Sequence, residues 1–187
     1  YLLQELHTIV NDKENYGKSD GLKGQKILLE YGQPNTHKMP HIGHLFSYVY
    51  GESCARILQA AGADIKRLNY QGDVGLHVAK CLWALRHEKV DLKALSLEEK
   101  VQLLQKCYQT GSTAYEAEVV AKKAIDDLNN DIYKKHAQAS GLWAETRQWS
   151  VEYYQQFEAR LGISYDKHYF ELKGKNDLRR LITQGAV

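Results

Sequence analysis

Glu30-Tyr31-Gly32-Gln33-Pro34-Asn35-Thr36-His37-Lys38-Met39-Pro40-His41-Ile42-Gly43-His44-Leu45 is the stretch whose reading decides the fold. It starts where the apolar run Lys26-Ile27-Leu28-Leu29 ends and stops where a helical pattern begins. Both prolines of the chain lie inside it, with two glycines, three histidines and a lysine. That composition describes a constrained polar turn between a strand and a helix.

Working outward, Lys26–Tyr31 is short and apolar, which predicts a buried strand. After the turn, Leu45, Val49, Ser53, Ile57 and Ala60 fall on one helical stripe, and Gly62 stands where a left-handed C-terminal cap belongs. Asp64–Tyr70 then alternates in part with a period of two and runs into a second glycine-punctuated turn, Gln71-Gly72-Asp73-Val74-Gly75. Strand, turn, helix, strand is a βαβ unit. Such units are right-handed and parallel, so the turns at 31–43 and 71–75 lie at the carboxyl ends of neighbouring strands, where open α/β sheets bind ligands.

The flanks read as helical. Leu2, Leu3, Leu6, Ile9 and Val10 have helical spacing, and Tyr1 is not a natural start, so residues 1–15 read as the tail of a helix that begins further upstream. Helices are predicted over Leu76–Arg86, Ser96–Thr110, Ser112–Ser140 and Leu142–Leu161, with Ser96 and Glu99 forming a capping box. The Ala- and charge-rich 112–140 stretch reads as a solvated helix with one face packed. Ile163–Glu171 reads as extended, and a basic stretch, Lys173–Arg180, follows it. No internal repeat or low-complexity segment is present.

Composition narrows the classes. With 187 residues the chain can bury a substantial core, and 25 basic against 23 acidic residues leave no overall polyanion-binding charge. Cys54, Cys81 and Cys107 are odd in number and lack a Cys-x-x-Cys pair, which argues against a disulfide framework or a cysteine zinc site and for reduced thiols. No apolar run reaches the ~18 residues that cross a membrane, and no signal core follows a basic start. The expectation is a soluble, cytoplasmic protein.

The turn carries the chemistry. A strand emptying through a glycine-containing loop into a helix start offers free backbone N–H groups and the positive end of a helix dipole, both suited to an anion. His41 and His44 add two imidazoles there, Lys38 adds a charge, and Gly43 removes a side chain where a ligand could approach. These are the parts of a phosphate clamp, one that accelerates cleavage electrostatically without a protein nucleophile. Two other readings stay open on the residues alone. His37, His41 and His44 with Asp73 or His77 could bind a metal if the helix were continuous, which Pro40 and Gly43 oppose, or the histidines could simply cap a helix.

The pattern is not confined to four residues. His41-Ile42-Gly43-His44, the longer run from Glu30 to Ser47, and Asn69-Tyr70-Gln71-Gly72-Asp73-Val74-Gly75 together resemble arginyl-tRNA synthetase, a class I aminoacyl-tRNA synthetase. Asn15-Tyr16-Gly17, Leu142-Trp143 and Leu161-Gly162-Ile163-Ser164-Tyr165-Asp166 extend the resemblance over roughly residues 15–170. It implies an α/β fold, the first βαβ half of a Rossmann-like parallel sheet with a mostly helical insertion. Residues 1–15 would end an N-terminal helical module or linker, 16–86 would form the first half of the catalytic domain, and 87–187 would form a helical connective insertion incomplete at its C-terminus.

The function implied is ATP-dependent activation of arginine to arginyl-adenylate and its transfer to tRNA(Arg), with ATP taken together with Mg2+ as substrate and the protein acting as a monomer. His41, Gly43 and His44 would hold ATP and stabilise the transition state, and Lys38 would supply the charge that a lysine of the second class I signature usually gives. Asn35 would bind the amino or carboxylate end of arginine. Glu30 would face its guanidinium, a pairing that carboxylate geometry favours. Gly72 and Asp73 match a turn near the adenylate pocket.

The chain also departs from the pattern. Gly32-Gln33 replaces a small pair, Phe46 stands where the family has arginine, and Val74 where it has tryptophan. No Lys-Met-Ser-Lys-like stretch occurs, Met39 being the only methionine. The chain therefore reads as a piece of a longer enzyme that does not charge tRNA by itself. The alternatives are a non-catalytic nucleotide- or partner-binding module and a related nucleotidyltransferase.

Overall fold

The computed structural model describes residues 1–134 and 137–172. The elements in chain order are α1 (Leu2–Asp12), a 3-10 turn (Lys13–Asn15), β1 (Lys26–Glu30), α2 (Ile42–Ala60), β2 (Asp64–Gln71), α3 (Leu76–Leu85), α4 (Leu97–Ala117), α5 (Val119–Tyr133), α6 (Ala137–Arg160) and β3 (Lys167–Phe170). The basic stretch Lys173–Arg180 lies outside the described residues.

The three strands form one parallel sheet in the order β1-β2-β3. Lys26 to Glu30 pair with Asp64 to Leu68, and Leu68 to Gln71 pair with Lys167 to Phe170. The βαβ unit read from the sequence is present, and α3–α6 form one long connection from β2 back to the sheet at β3. The α/β class, with a parallel sheet and mostly helical remainder, is as expected.

Local signals worked where local physics decides. Gly62, just past the end of α2, takes φ +100°, and Ser96 and Glu99 exchange both capping bonds at the start of α4. Packing overruled three expectations. Leu28 is 39% exposed and no residue of β1 is buried, because among the described residues β1 pairs only with β2. The predicted stripe of α2 faces outward, with Val49 50% and Ile57 68% exposed, while the buried face is Tyr48, Gly51, Glu52 and Ala55. Glu52 draws that face inward by pairing with Arg67 of β2 (2.9 Å) and accepting the Tyr31 hydroxyl at 2.5 Å.

The third difference concerns the helix break, expected near Gly111 and found at Glu118, where the backbone is extended (φ −126°, ψ 117°). Gly111 sits inside α4 for a different reason. A Cβ there would stand 2.1 Å from the Lys80 carbonyl oxygen, so glycine permits α4 to cross α3 in direct backbone contact. The main apolar core follows from that crossing, with Val78, Leu82, Leu104, Cys107, Ile125 and Leu128 among its buried members. Smaller clusters around Tyr31 and Tyr48, and around Ala55 and Ile65, join α2 to the sheet. No helix among the described residues is long and apolar enough to cross a membrane.

Candidate active site

The turn between β1 and α2 has two halves held in different ways. In the first, Asn35 bridges Gly72 as an isolated parallel β-pair, and Thr36 N–H donates to the Gly72 carbonyl (2.9 Å), so the turns expected at neighbouring strand ends are joined directly. His37 follows in the left-handed region (φ 63°) and is fully buried. Its backbone N–H donates to Ser150 Oγ (2.9 Å), and its ring nitrogens meet Thr36 Oγ1 (2.9 Å) and Thr146 Oγ1 (2.8 Å). Burial, then the charges of His77 and Arg147, lowers its pKa to about 3, so the ring is neutral at pH 7.

Tyr154 bridges the carbonyl oxygens of Asn35 and Lys38, each 2.9 Å from its hydroxyl. Thr146, Ser150, Tyr154 and Glu158 recur every four residues and form one buried polar stripe of α6. Glu158 ends the stripe at the sheet, accepting from Tyr48 Oη (2.9 Å) and Asn69 Nδ2 (3.0 Å). One helix therefore reaches from the turn to β2.

The second half caps itself. His41 N–H donates to His44 Nδ1 (3.2 Å), Gly43 N–H donates to His41 Nδ1 (3.1 Å), and the ring centroids are 3.9 Å apart. Because both Nδ1 atoms accept, each ring carries its proton on Nε2, leaving two N–H donors at the start of α2. Burial, then His41 and Lys38, lowers the His44 pKa, which keeps that ring neutral at pH 7. Gly43 serves this cap, since a Cβ there would lie 2.9 Å from His41 Cε1.

Glu30 is exposed at the end of β1, where Gln33 Nε2 donates to its Oε1 (2.9 Å). Both line an open groove with Phe46, Ser47, Tyr50 and Cys54. Gly72 is needed for the close approach of Asn35, whose Oδ1 would be 2.3 Å from any Cβ. Asp73 is 1% exposed and both its oxygens are engaged, one by Arg147 Nε (2.7 Å) and the other by Leu172 N–H (2.9 Å). Its carbonyl accepts from Trp143 Nε1 (2.7 Å), and Arg147 stacks 3.9 Å over the Phe170 ring. Asp73 thus shapes the turn through internal partners.

The structure brings Lys38, Asn35, Gly72 and the His41/His44 cap onto one connected loop system, and it sets His37 apart, buried against α6. Among the described residues no three His, Cys, Asp or Glu side chains converge as a metal-ligand set. Sequence reasoning missed Thr146, Ser150, Tyr154 and Arg147. The four-residue spacing of Thr146, Ser150 and Tyr154 was visible, but it is equally the pattern of a solvated helix face, and Arg147 stands outside that series. Of the departures, Phe46 is exposed and stacks on Tyr50 (5.8 Å), while Val74 is buried in the main core. The thiols of Cys54, Cys81 and Cys107 are free.

Comparison with known proteins places this geometry in context. The family model described as tRNA synthetases class I (R), catalytic domain, matches residues 5–178. The chain is 32% identical over 192 residues to the arginine–tRNA ligase of Treponema denticola, covering 97% of this chain and 32% of that protein. It is 32% identical over 174 residues to that of Bdellovibrio bacteriovorus, covering 90% and 30%. The fold matches Thermus thermophilus arginyl-tRNA synthetase with a TM-score of 0.66 at 22% identity, covering 89% of this chain and 28% of that one. The Plasmodium falciparum arginyl-tRNA synthetase gives 0.57 at 19%, covering 95% and 29%. The chain spans about a third of the length of the curated relatives it matches.

Proposed function

The chain belongs to the family of class I tRNA synthetase (R) catalytic domains, and from that premise we propose that it forms the first half of the active site of an arginine–tRNA ligase. The reaction joins arginine to ATP, taken as its Mg2+ complex, to give arginyl-adenylate and pyrophosphate. The arginyl group then passes to tRNA(Arg) in the cytoplasm. Residues 16–86 carry the nucleotide half-site, and the described residues from 87 to 172 the helical insertion whose β3 joins the same sheet.

In the first step an arginine carboxylate oxygen attacks the α-phosphorus and pyrophosphate leaves. Charge builds on the phosphoryl oxygens, and the Nε2–H donors of His41 and His44, with the Lys38 ammonium, face it from a helix start. Glu30 takes the guanidinium on the carboxylate oxygen that Gln33 leaves free, a charge-assisted pairing. Asn35, set against Gly72, takes the amino or carboxylate end. Gly72 lets Asn35 and the nucleotide approach, and Asp73 holds that turn in shape.

The observation that carries this reading is the self-capped histidine pair, because capping through Nδ1 leaves the two Nε2 atoms free to donate at a helix N-terminus beside Lys38. The test is arginine-dependent ATP–pyrophosphate exchange by the complete enzyme with tRNA present, comparing wild type with Lys38→Ala and His41→Ala. Loss of exchange in both variants, with folding retained, supports the reading. Unchanged exchange in both overturns it.

A further inference from the structure

Lys38 is held between two tyrosines that come from two different helices. On the α6 side the Tyr154 hydroxyl, 1% exposed, ties the Lys38 carbonyl to that of Asn35 across the turn. On the α4 side the Tyr108 ring faces the ammonium, with Nζ 4.4 Å from its centroid. Gln105, three residues earlier on α4, takes the next backbone N–H, that of Met39, at 3.0 Å. Backbone and charge of one residue are thus gripped by separate side chains, both outside the strand–turn–helix unit that carries Lys38.

We propose that Tyr108 and Tyr154 are positioning residues for Lys38, Tyr154 fixing its backbone and Tyr108 the direction of its ammonium. The inference rests on the reading of Lys38 as a group that meets the nucleotide. A flexible four-carbon stem otherwise samples many rotamers, and a ring face selects those that keep the charge at one place without neutralising it. The place is informative. The Lys38 charge depresses the pKa of both His44 and His77, after burial in each case, so it lies within electrostatic reach of the α2 cap and of the start of α3. Neither tyrosine need touch substrate for this role.

Two measurements test it, one independent of catalysis. In proton NMR of the complete enzyme, the Lys38 ε-methylene, assigned by its loss in Lys38→Met, lies over an aromatic face and is expected upfield of the ordinary lysine position, as are those of Lys80 and Lys167 over Tyr115 and Tyr169. Tyr108→Phe retains that shift and Tyr108→Leu abolishes it. A Lys38 ε-resonance at the ordinary lysine position in wild type overturns the Tyr108 grip, whatever the enzyme's substrate.

In the complete enzyme, Tyr108→Leu is expected to lower kcat of the exchange reaction about tenfold, with a smaller change in KM for ATP, while Tyr108→Phe stays within about twofold. Tyr154→Phe is expected to lower kcat about threefold to tenfold. In a Lys38→Met background Tyr108→Leu should cost nothing further, because the ammonium it positions is gone, and Tyr154→Phe should keep only the smaller part of its cost that acts through Asn35. If they lower the residual rate by the same factors there, the tyrosines act through general structure and the proposal fails. Absence of arginine-dependent exchange in wild type would instead count against the proposed function, leaving the NMR result to decide the clamp.

Discussion

The two halves of the 35–44 loop differ in who holds them. Asn35–Lys38 is gripped from outside, by Thr146, Ser150 and Tyr154 of α6 and by Tyr108 of α4, and its histidine is buried and neutral. His41–His44 is held from within, by two imidazoles that cap the helix they begin, and its rings keep their outer nitrogens available. Chemically similar histidines thus end in opposite settings. A buried ring with both nitrogens engaged can only brace the backbone, whereas a half-exposed ring with one nitrogen engaged can still donate to a ligand.

That contrast can be broken most directly at its functional end. Lys38→Ala or His41→Ala in the complete enzyme is expected to lower arginine-dependent ATP–pyrophosphate exchange by ~10² to 10³-fold, the usual cost of removing one transition-state donor. The thermal midpoint of the His41 variant should fall only by what the lost helix cap costs, about 1 kcal/mol. A His41 variant that unfolds before it loses activity would mean that this half is structural as well.

Acid tests the braced end. The pKa of His37 is lowered to about 3 and that of His77 to about 4, against 6.5 when unfolded, so the unfolded chain binds the extra protons. Stability from both is present above pH ~6.5 and is lost as pH falls toward the folded values. Between pH 7 and 5 each site should cost on the order of 2 kcal/mol, read as a falling denaturant midpoint. His37→Asn, which tolerates the left-handed backbone, should flatten part of that slope. An unchanged slope would show that His37 is not the group titrating.

Thr146→Val sharpens the comparison further. It removes the hydroxyl at His37 while keeping the shape, and should cost about 1–3 kcal/mol in equilibrium unfolding because a buried ring nitrogen loses its partner. The smallest effect is expected at Gly43→Ala. The added methyl displaces the His41 ring from its cap, costing about 1 kcal/mol or less in stability, and the exchange rate should fall more than stability does. A Gly43→Ala enzyme with normal exchange would show that the ring need not sit on the cap to act.

How much was legible follows the same divide. The histidine cap, the glycine after α2 and the Ser96–Glu99 box were readable because each is a bond between residues two to four apart. The buried face of α2 was misread because Glu52 is charged, and only Arg67 and Tyr31, brought beside it by the sheet, make its burial tolerable. Gly111 was misread as a break because a glycine in a helix looks like punctuation until another helix's backbone lies against it. Asp73 was read as part of a turn near the adenylate pocket, and what the order of residues did not show is that Arg147 and the Leu172 backbone, 74 and 99 residues away, take both its oxygens.

By itself the amino-acid sequence determined the strand–turn–helix unit, the parallel βαβ class and the residue types gathered at the turn. Backbone propensity, capping and turn chemistry act over a few residues and leave their marks in order along the chain. Only the tertiary structure decided which histidine has both ring nitrogens engaged and which keeps one free, and which tyrosines grip Lys38. Those roles depend on burial and on partners more than 60 residues away, and a side chain's protonation and freedom are set by what surrounds it in space.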